Sequence, residues 1–243
     1  MPVAVIASLA LGAGLSVAEP PAGPKPSEYA PAADLAAQID YYFKRLDEAL
    51  AAPADYDADK QGRVKKDANT VAAISLVLGQ HDQPSKYQAA SAAMIKASQA
   101  LAEASKDFAA AKEAFSALKA AAETKSEPTA WGEVASLPAL MQQVPIVNNS
   151  LRRSLAPARF KKQAAQIAEQ AATLAAIAQA SWHDTSSAAD DADAVAWRKF
   201  CDEMRDAAAG VNAAAHKLDQ PAADAAAKKL AQSCDSCHAK FRQ

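Results

Sequence analysis

Glycine is scarce in this chain, with seven residues in 243, and leaves few flexible turns. Aromatic residues are scarce too, at 6%, although 51% of the sequence is hydrophobic. Much of that apolar content is alanine, the strongest helix former, so the composition predicts an all-α protein with a core built from small side chains. A surplus of one charge is also missing. The net charge is −2, with 13 basic and 16 acidic residues over 19–127 and 13 and 12 over 128–243. Neither half carries the basic field that phosphate backbones demand, which sets nucleic-acid partners aside. The length suits one large domain or two small ones.

A long hydrophobic run is missing as well. The apolar stretch over 3–17 is too short, and too rich in Ala and Gly, for a good membrane span. It ends in Ser16-Val17-Ala18, small residues where a signal peptidase cuts, so 1–18 reads as an export signal cleaved after Ala18. No Lys or Arg precedes the run. The true start then lies upstream, or the segment stays as an uncleaved anchor. The export reading predicts a periplasmic protein without stable membrane insertion after cleavage.

From 19 to 32 the chain is proline-rich and aperiodic, which predicts an extended linker. Helical spacing follows. Leu35, Ile39, Phe43, Leu46 and Leu50 alternate by four and three, the seam of a bundle helix, and Pro53 stops it. A second helix from about 59 carries Val71, Ile74 and Leu78 and ends at Gly79, a candidate left-handed cap. Tyr87, Met94, Leu101 and Phe108 recur every seven residues and continue to Phe115 and Leu118, with a break predicted at Ser105-Lys106-Asp107. Four helices over 33–125 form a first bundle. Residues 123–132, with Pro128 and Gly132, lack a pattern and mark a boundary.

The stretch 133–243 repeats the plan. Leu137, Leu140, Met141 and Val144 share one side of a helix expected over 133–155, which Pro145 should kink. The next helix carries Phe160, Ala164, Ile167, Ala171, Leu174 and Ala178. Another carries Trp197, Phe200, Cys201, Met204, Ala208 and Val211. The last starts at Pro221. Traces of duplication accompany the repeated plan. Arg63-Val-Lys-Lys-Asp-Ala matches Arg159-Phe-Lys-Lys-Gln-Ala, and His81-Asp82 and His183-Asp184 close the two helices. AAAKEAFSAL (109–118) resembles AAAKKLAQSC (225–234), which puts Leu118 where Cys234 falls.

Cysteine is the last scarcity: three residues, an odd number. An exported chain with three cysteines pairs two and strands one, or uses two in thioether bonds. Cys234 and Cys237 are three apart and His238 is four beyond Cys234, so on a helix all three share a face. Leu230, Cys234, Cys237 and Phe241 continue the seam, which points that face into the core. Cys-x-x-Cys-His is the signature of c-type haem attachment: two thioethers need sulfurs one helical turn apart, and the next histidine is held under the iron. Other readings meet physical objections. A redox dithiol prefers a strand–helix junction and a helix amino terminus. A structural zinc site wants four ligands, and these residues supply three with poor spacing. A disulfide within one helix is awkward. Cysteines that merely fill a core remain the plainest alternative.

Cys234-Asp-Ser-Cys-His-Ala-Lys-Phe-Arg242 resembles the attachment segment of the cytochrome c prime family, Cys-x-x-Cys-His-x-x-Tyr/Phe-Arg, over about 133–243. The resemblance is specific in the last helix and loose before it. It implies an antiparallel four-helix bundle for 133–243, which with the helical pattern over 33–125 makes an all-α chain of two tandem bundles, the first without the cysteine motif and haem-free. It also implies one haem c held covalently through Cys234 and Cys237, with His238 as proximal ligand. Phe241 belongs to the same motif, and Arg242, on the face of His238, is placed to pair with a propionate. In low-spin relatives a methionine supplies the sixth ligand. Met141, early in the first helix of the second half, is the matching candidate; its plain alternative is a gap-filling core residue. The implied function is single-electron transfer with a periplasmic redox protein. The alternative is nitric oxide or carbon monoxide binding at an open distal site. A peroxidase needs a distal acid–base pair, and none stands out, so an enzyme is not expected. Family members pair as homodimers through their first two helices, a surface the extra bundle would occupy here. Cys201, Met204 and Met94 read as core, His216 as a helix-end residue, and Trp182 and Trp197 as helix-end or haem-edge packing.

Overall fold

A computed structural model describes residues 24–242; the predicted export signal lies outside them. Among the described residues the regular elements are all helical. They are α1 (Pro26–Tyr29), α2 (Ala32–Ala49), α3 (Ala58–Gly79), α4 (Ser91–Ala104), α5 (Phe108–Ala121), α6 (Leu137–Ser154), α7 (Pro157–Phe160), α8 (Ala164–Ser181), α9 (Asp191–His216) and α10 (Gln220–Phe241). None is long and apolar enough to cross a membrane.

Local chemistry explains most boundaries. Aspartates at 57, 107, 190 and 219 cap α3, α5, α9 and α10, each side chain accepting a first-turn N–H. Asp107 is the reason that the long pattern breaks where Ser105-Lys106-Asp107 predicts. The seam residues Leu35, Ile39, Leu46, Val71, Ile74, Leu78, Met94, Leu101 and Leu118 are all fully buried.

Four expectations need correction. Gly79 adopts no left-handed conformation; the structure has no positive-φ glycine among the described residues. Gly79 ends α3 under Ser91, and a Cβ there would lie 2.5 Å from Ser91 Oγ and 2.9 Å from Ser91 Cβ. Its smallness serves the α3–α4 approach, not a turn. The described end of the proline-rich segment is not extended throughout: α1 starts at Pro26, and Tyr29 packs inside at 3% exposure. Phe160 belongs to α7, separate from α8, with Pro157 in its first turn. The helix expected from 133 starts at Leu137, preceded by Ser136.

In each half successive helices pack on one another: α2 on α3, α3 on α4, α4 on α5, and α6 on α8, α8 on α9, α9 on α10. The halves then meet through α3 with α8, α2 with α8, and α3 with α6. Exchanging the halves maps this set of contacts onto itself. One continuous hydrophobic core runs from Tyr29 on α1 to Leu230 on α10. The central helices α3 and α8 are buried nearly all round over 67–78 and 170–181.

The correspondence extends to single residues. Aligning the first residue of α2 with that of α6 pairs Leu35 with Leu140, Gln38 with Gln143, Ile39 with Val144 and Leu46 with Leu151. The eight buried positions of one helix are then the eight buried positions of the other. Gln143 Nε2 donates to Asp67 on α3 (3.3 Å), and Gln38 Nε2 donates to Glu169 on α8 (3.2 Å). Asp67 and Glu169 each lie fourteen residues before their half's His-Asp pair. Under this alignment Met141 takes the place of Ala36.

Candidate functional site

The second-half helices leave their core unfilled at one end. There the carboxyl-terminal ends of α8 and α10 meet the amino-terminal halves of α6 and α9, as up-and-down connectivity requires. Between them lies a partly open cavity, with about 850 Å³ of atom-free space that includes open solvent.

Each helix contributes to the wall. From α6 come Met141, Val144, Pro145 and Asn148; from α9, Trp197, Phe200, Cys201 and Met204. The α10 face supplies Ser233, Cys234, Cys237 and His238, with Arg242 just beyond, and α8 supplies Ala178 and Ser181. The site sits beside a satellite hydrophobic cluster of Leu137, Trp197 and Cys201, flanked by Met141, Trp182, Cys237 and Phe241. Counted from the capping aspartates Asp107 and Asp219, the buried Leu118 of α5 corresponds to the buried Leu230 of α10 and not to Cys234, with which the sequence match pairs it.

The wall is largely apolar, and two polar atoms on it stand out. Asn148 Oδ1 and Ser181 Oγ are buried without a hydrogen-bond partner. Buried polar atoms are normally paired, and both of these belong to residues of the cavity wall. Neither was singled out from sequence. Asn148 was within reach of the pattern, lying one heptad beyond Met141 on the same helix face.

Other interactions fix the frame. Trp197 Nε1 donates to the Ser181 carbonyl at 2.8 Å, tying α9 to the end of α8. The Phe241 ring stands edge-on to Trp197 at 5.3 Å and to Phe200 at 6.1 Å. Phe241 therefore braces the wall and does not line it. Lys240 Nζ bonds Asp193 at 2.7 Å and pins the end of α10 to the start of α9. The Arg198 guanidinium lies over Trp182 at 4.8 Å. Pro145 has no N–H, so the carbonyl of Met141, four residues earlier, loses its helical donor beside the cavity.

The three cysteines are free. Burial pushes all three thiols up: Cys237 to about 11, aided by Cys234 nearby, and Cys201 and Cys234 upward as well. A catalytic Cys-x-x-Cys dithiol needs the opposite shift, so Cys234 and Cys237 lack the electrostatics of one. Among the described residues no three His, Cys, Asp or Glu side chains gather as ligands of a bare metal ion, so Cys234, Cys237 and His238 are not arranged as a zinc site.

Of the residues expected at the site, Met141, Cys234, Cys237, His238 and Arg242 all reach the cavity. His238 and Arg242 are exposed, Met141 half-buried. Among the described residues Arg242 makes no ion pair; its backbone N–H donates to the His238 carbonyl at 3.1 Å. Cys201 and Met204, expected as plain core, also face the cavity. His216 lies elsewhere, its Nε2 2.7 Å from Asp34 on α2. Met94 is buried in the first half. No protein-family model matches the chain, and neither curated proteins nor solved structures give a significant match.

Proposed function

We propose that the chain is a periplasmic electron carrier holding one haem c in this cavity, in the second of two tandem, duplicated four-helix bundles that resemble the cytochrome c prime plan. One observation carries the reading: both thiols of the Cys-x-x-Cys-His motif, its imidazole and the thioether of Met141 open into a single apolar cavity. The donor set suits haem, with two sulfurs for covalent attachment and a nitrogen and a sulfur for iron. When bound, the group supplies one-electron redox chemistry between ferrous and ferric iron.

Residues of the chain do the remaining work. Cys234 and Cys237, three residues or about 4.5 Å apart along α10, would carry the two thioethers. His238, next in sequence, would be the proximal ligand and Met141, from α6, the sixth. A thioether ligand favours reduced iron and raises the potential. Trp197, Phe200, Val144 and Ala178 line the cavity and would exclude water from a group bound there. Arg242, at the solvent edge, is placed to neutralise a carboxylate there. Among the described residues that line the cavity none is a carboxylate and the one histidine is His238, so the wall offers no distal acid–base pair.

Absorption spectra of holoprotein made with the haem-attachment machinery test the reading. The expectation is a six-coordinate low-spin spectrum in both oxidation states, converted to high spin by Met141→Ala. A five-coordinate high-spin spectrum with ready carbon monoxide binding would replace electron transfer by gas binding at an open distal site.

A further inference from the structure

The cysteine outside the motif, Cys201, lies on α9, which packs against α10. Helices α9 and α10 are antiparallel neighbours, and three contacts set their register. Lys240 meets Asp193 at 2.7 Å, and the Phe241 and Trp197 rings meet at 5.3 Å. Nearer the connecting turn, a Cβ built on Gly210 would lie 3.2 Å from that of Ala226. Moving one turn inward from the Trp197–Phe241 pair, four residues along each helix, brings Cys201 opposite Cys237. A further three residues bring Met204 opposite Cys234. Cys201 and Cys237 line the same cavity and belong to the same hydrophobic cluster. The small residues Gly210 and Ala226 let the two helices approach closely near the connecting turn. Cys234, facing a methionine, has no cysteine across from it.

We infer that Cys201 and Cys237 are a disulfide-forming pair that a small-molecule disulfide oxidises through the open side of the cavity in the haem-free chain. With oxidised glutathione as oxidant the steps balance. The sulfur of the half-buried Cys237 attacks the oxidant's S–S bond as its proton leaves, forming a mixed disulfide and releasing one glutathione, which takes up a proton. Cys201, only 8% exposed but on the cavity wall, then attacks the Cys237 sulfur and releases the second. Two protons and two electrons pass from the cysteines to the oxidant, and one bond joins α9 to α10. For haem attachment the consequence rests on the function proposed above: one Cys237 sulfur cannot hold both a disulfide and a thioether, so the chain must be reduced at this pair before it is loaded.

The test uses the full chain produced without haem-attachment machinery, so its outcome does not depend on whether haem attaches. After incubation with oxidised glutathione, free thiols are alkylated and the protein is digested with trypsin without reduction. The expected result is loss of two of the three alkylatable thiols and a cross-link between FCDEMR (200–205) and LAQSCDSCHAK (230–240). The link persists in Cys234→Ser and is lost in both Cys237→Ser and Cys201→Ser. A bond confined to 230–240 with Cys201 alkylated, a link that survives Cys237→Ser, or three alkylated cysteines throughout would each overturn the inference.

Discussion

Gln143 on α6 reaches across the two halves to Asp67 on α3, its amide donating at 3.3 Å, and also donates to Tyr42 on α2 at 3.1 Å. Gln38 and Glu169 repeat the bond from the opposite side. Removing Gln143 leaves a buried hydroxyl and a buried carboxylate each short of a donor, along with a small cavity. Gln143→Ala is expected to destabilise the chain by ~2–3 kcal/mol, read as a lowered urea midpoint at unchanged slope. A change under ~0.5 kcal/mol would mean that the bond does not hold the halves together.

Glu169 gives this interface a pH dependence. Burial raises its carboxyl above the usual 4.5, opposed by the Gln38 bond and by His216, and assisted by Asp34. A raised native pKa means that the folded chain holds this proton more tightly than the unfolded chain. The group's stabilisation is therefore complete below 4.5 and lost as pH rises through the native value. Glu169→Gln removes this dependence. Plotted against pH, the stability of wild type minus that of the variant should be level below 4.5 and fall above it. The carboxyl is partly exposed, so the drop should stay under ~1 kcal/mol. A rise over the same range would reverse the assignment.

Close approach at Gly79 predicts a pair of coupled substitutions. Alanine is the better helix former by about 1 kcal/mol, yet its Cβ would meet Ser91 inside van der Waals distance. Gly79→Ala should therefore destabilise by ~1–3 kcal/mol. In the Ser91→Gly background the same change should cost far less, and thermal unfolding of the four chains measures the coupling. Additive effects would refute the steric account.

Pro145 breaks the hydrogen-bond ladder of α6 beside the cavity. Pro145→Ala gives the Met141 carbonyl a donor again and is expected to raise stability by ~1–3 kcal/mol, seen in the denaturation midpoint of the haem-free chain. Unchanged or lower stability would show that the surrounding packing already compensates for the missing bond.

Much of this fold is legible in the sequence because its signals are local. Four-three spacing selects Leu35, Ile39 and Leu46 for the core, a seven-residue recurrence selects Met94 and Leu101, and Asp107 announces the break between α4 and α5. What stays hidden depends on long-range packing. Nothing near Gly79 separates a turn glycine from one crowded by Ser91, a residue of the next helix. Phe160 fits the period of α8, so the break after α7 leaves no trace in apolar spacing. Tyr29 is buried against partners far along the chain. At the site, the spacing of Cys234, Cys237 and His238 fixes one wall. Ser181 and Cys201 join it only through the packing of α8 and α9, which no short stretch encodes.

The central claim is a covalent haem on α10, and intact mass measures it most directly. Chain matured in cells shown to load a control c-type cytochrome should carry the added mass of one haem. The added mass should be lost when Cys234 and Cys237 are both changed to Ala and should survive Cys201→Ser. An unmodified mass under those conditions, or haem retained without both α10 cysteines, would contradict the account.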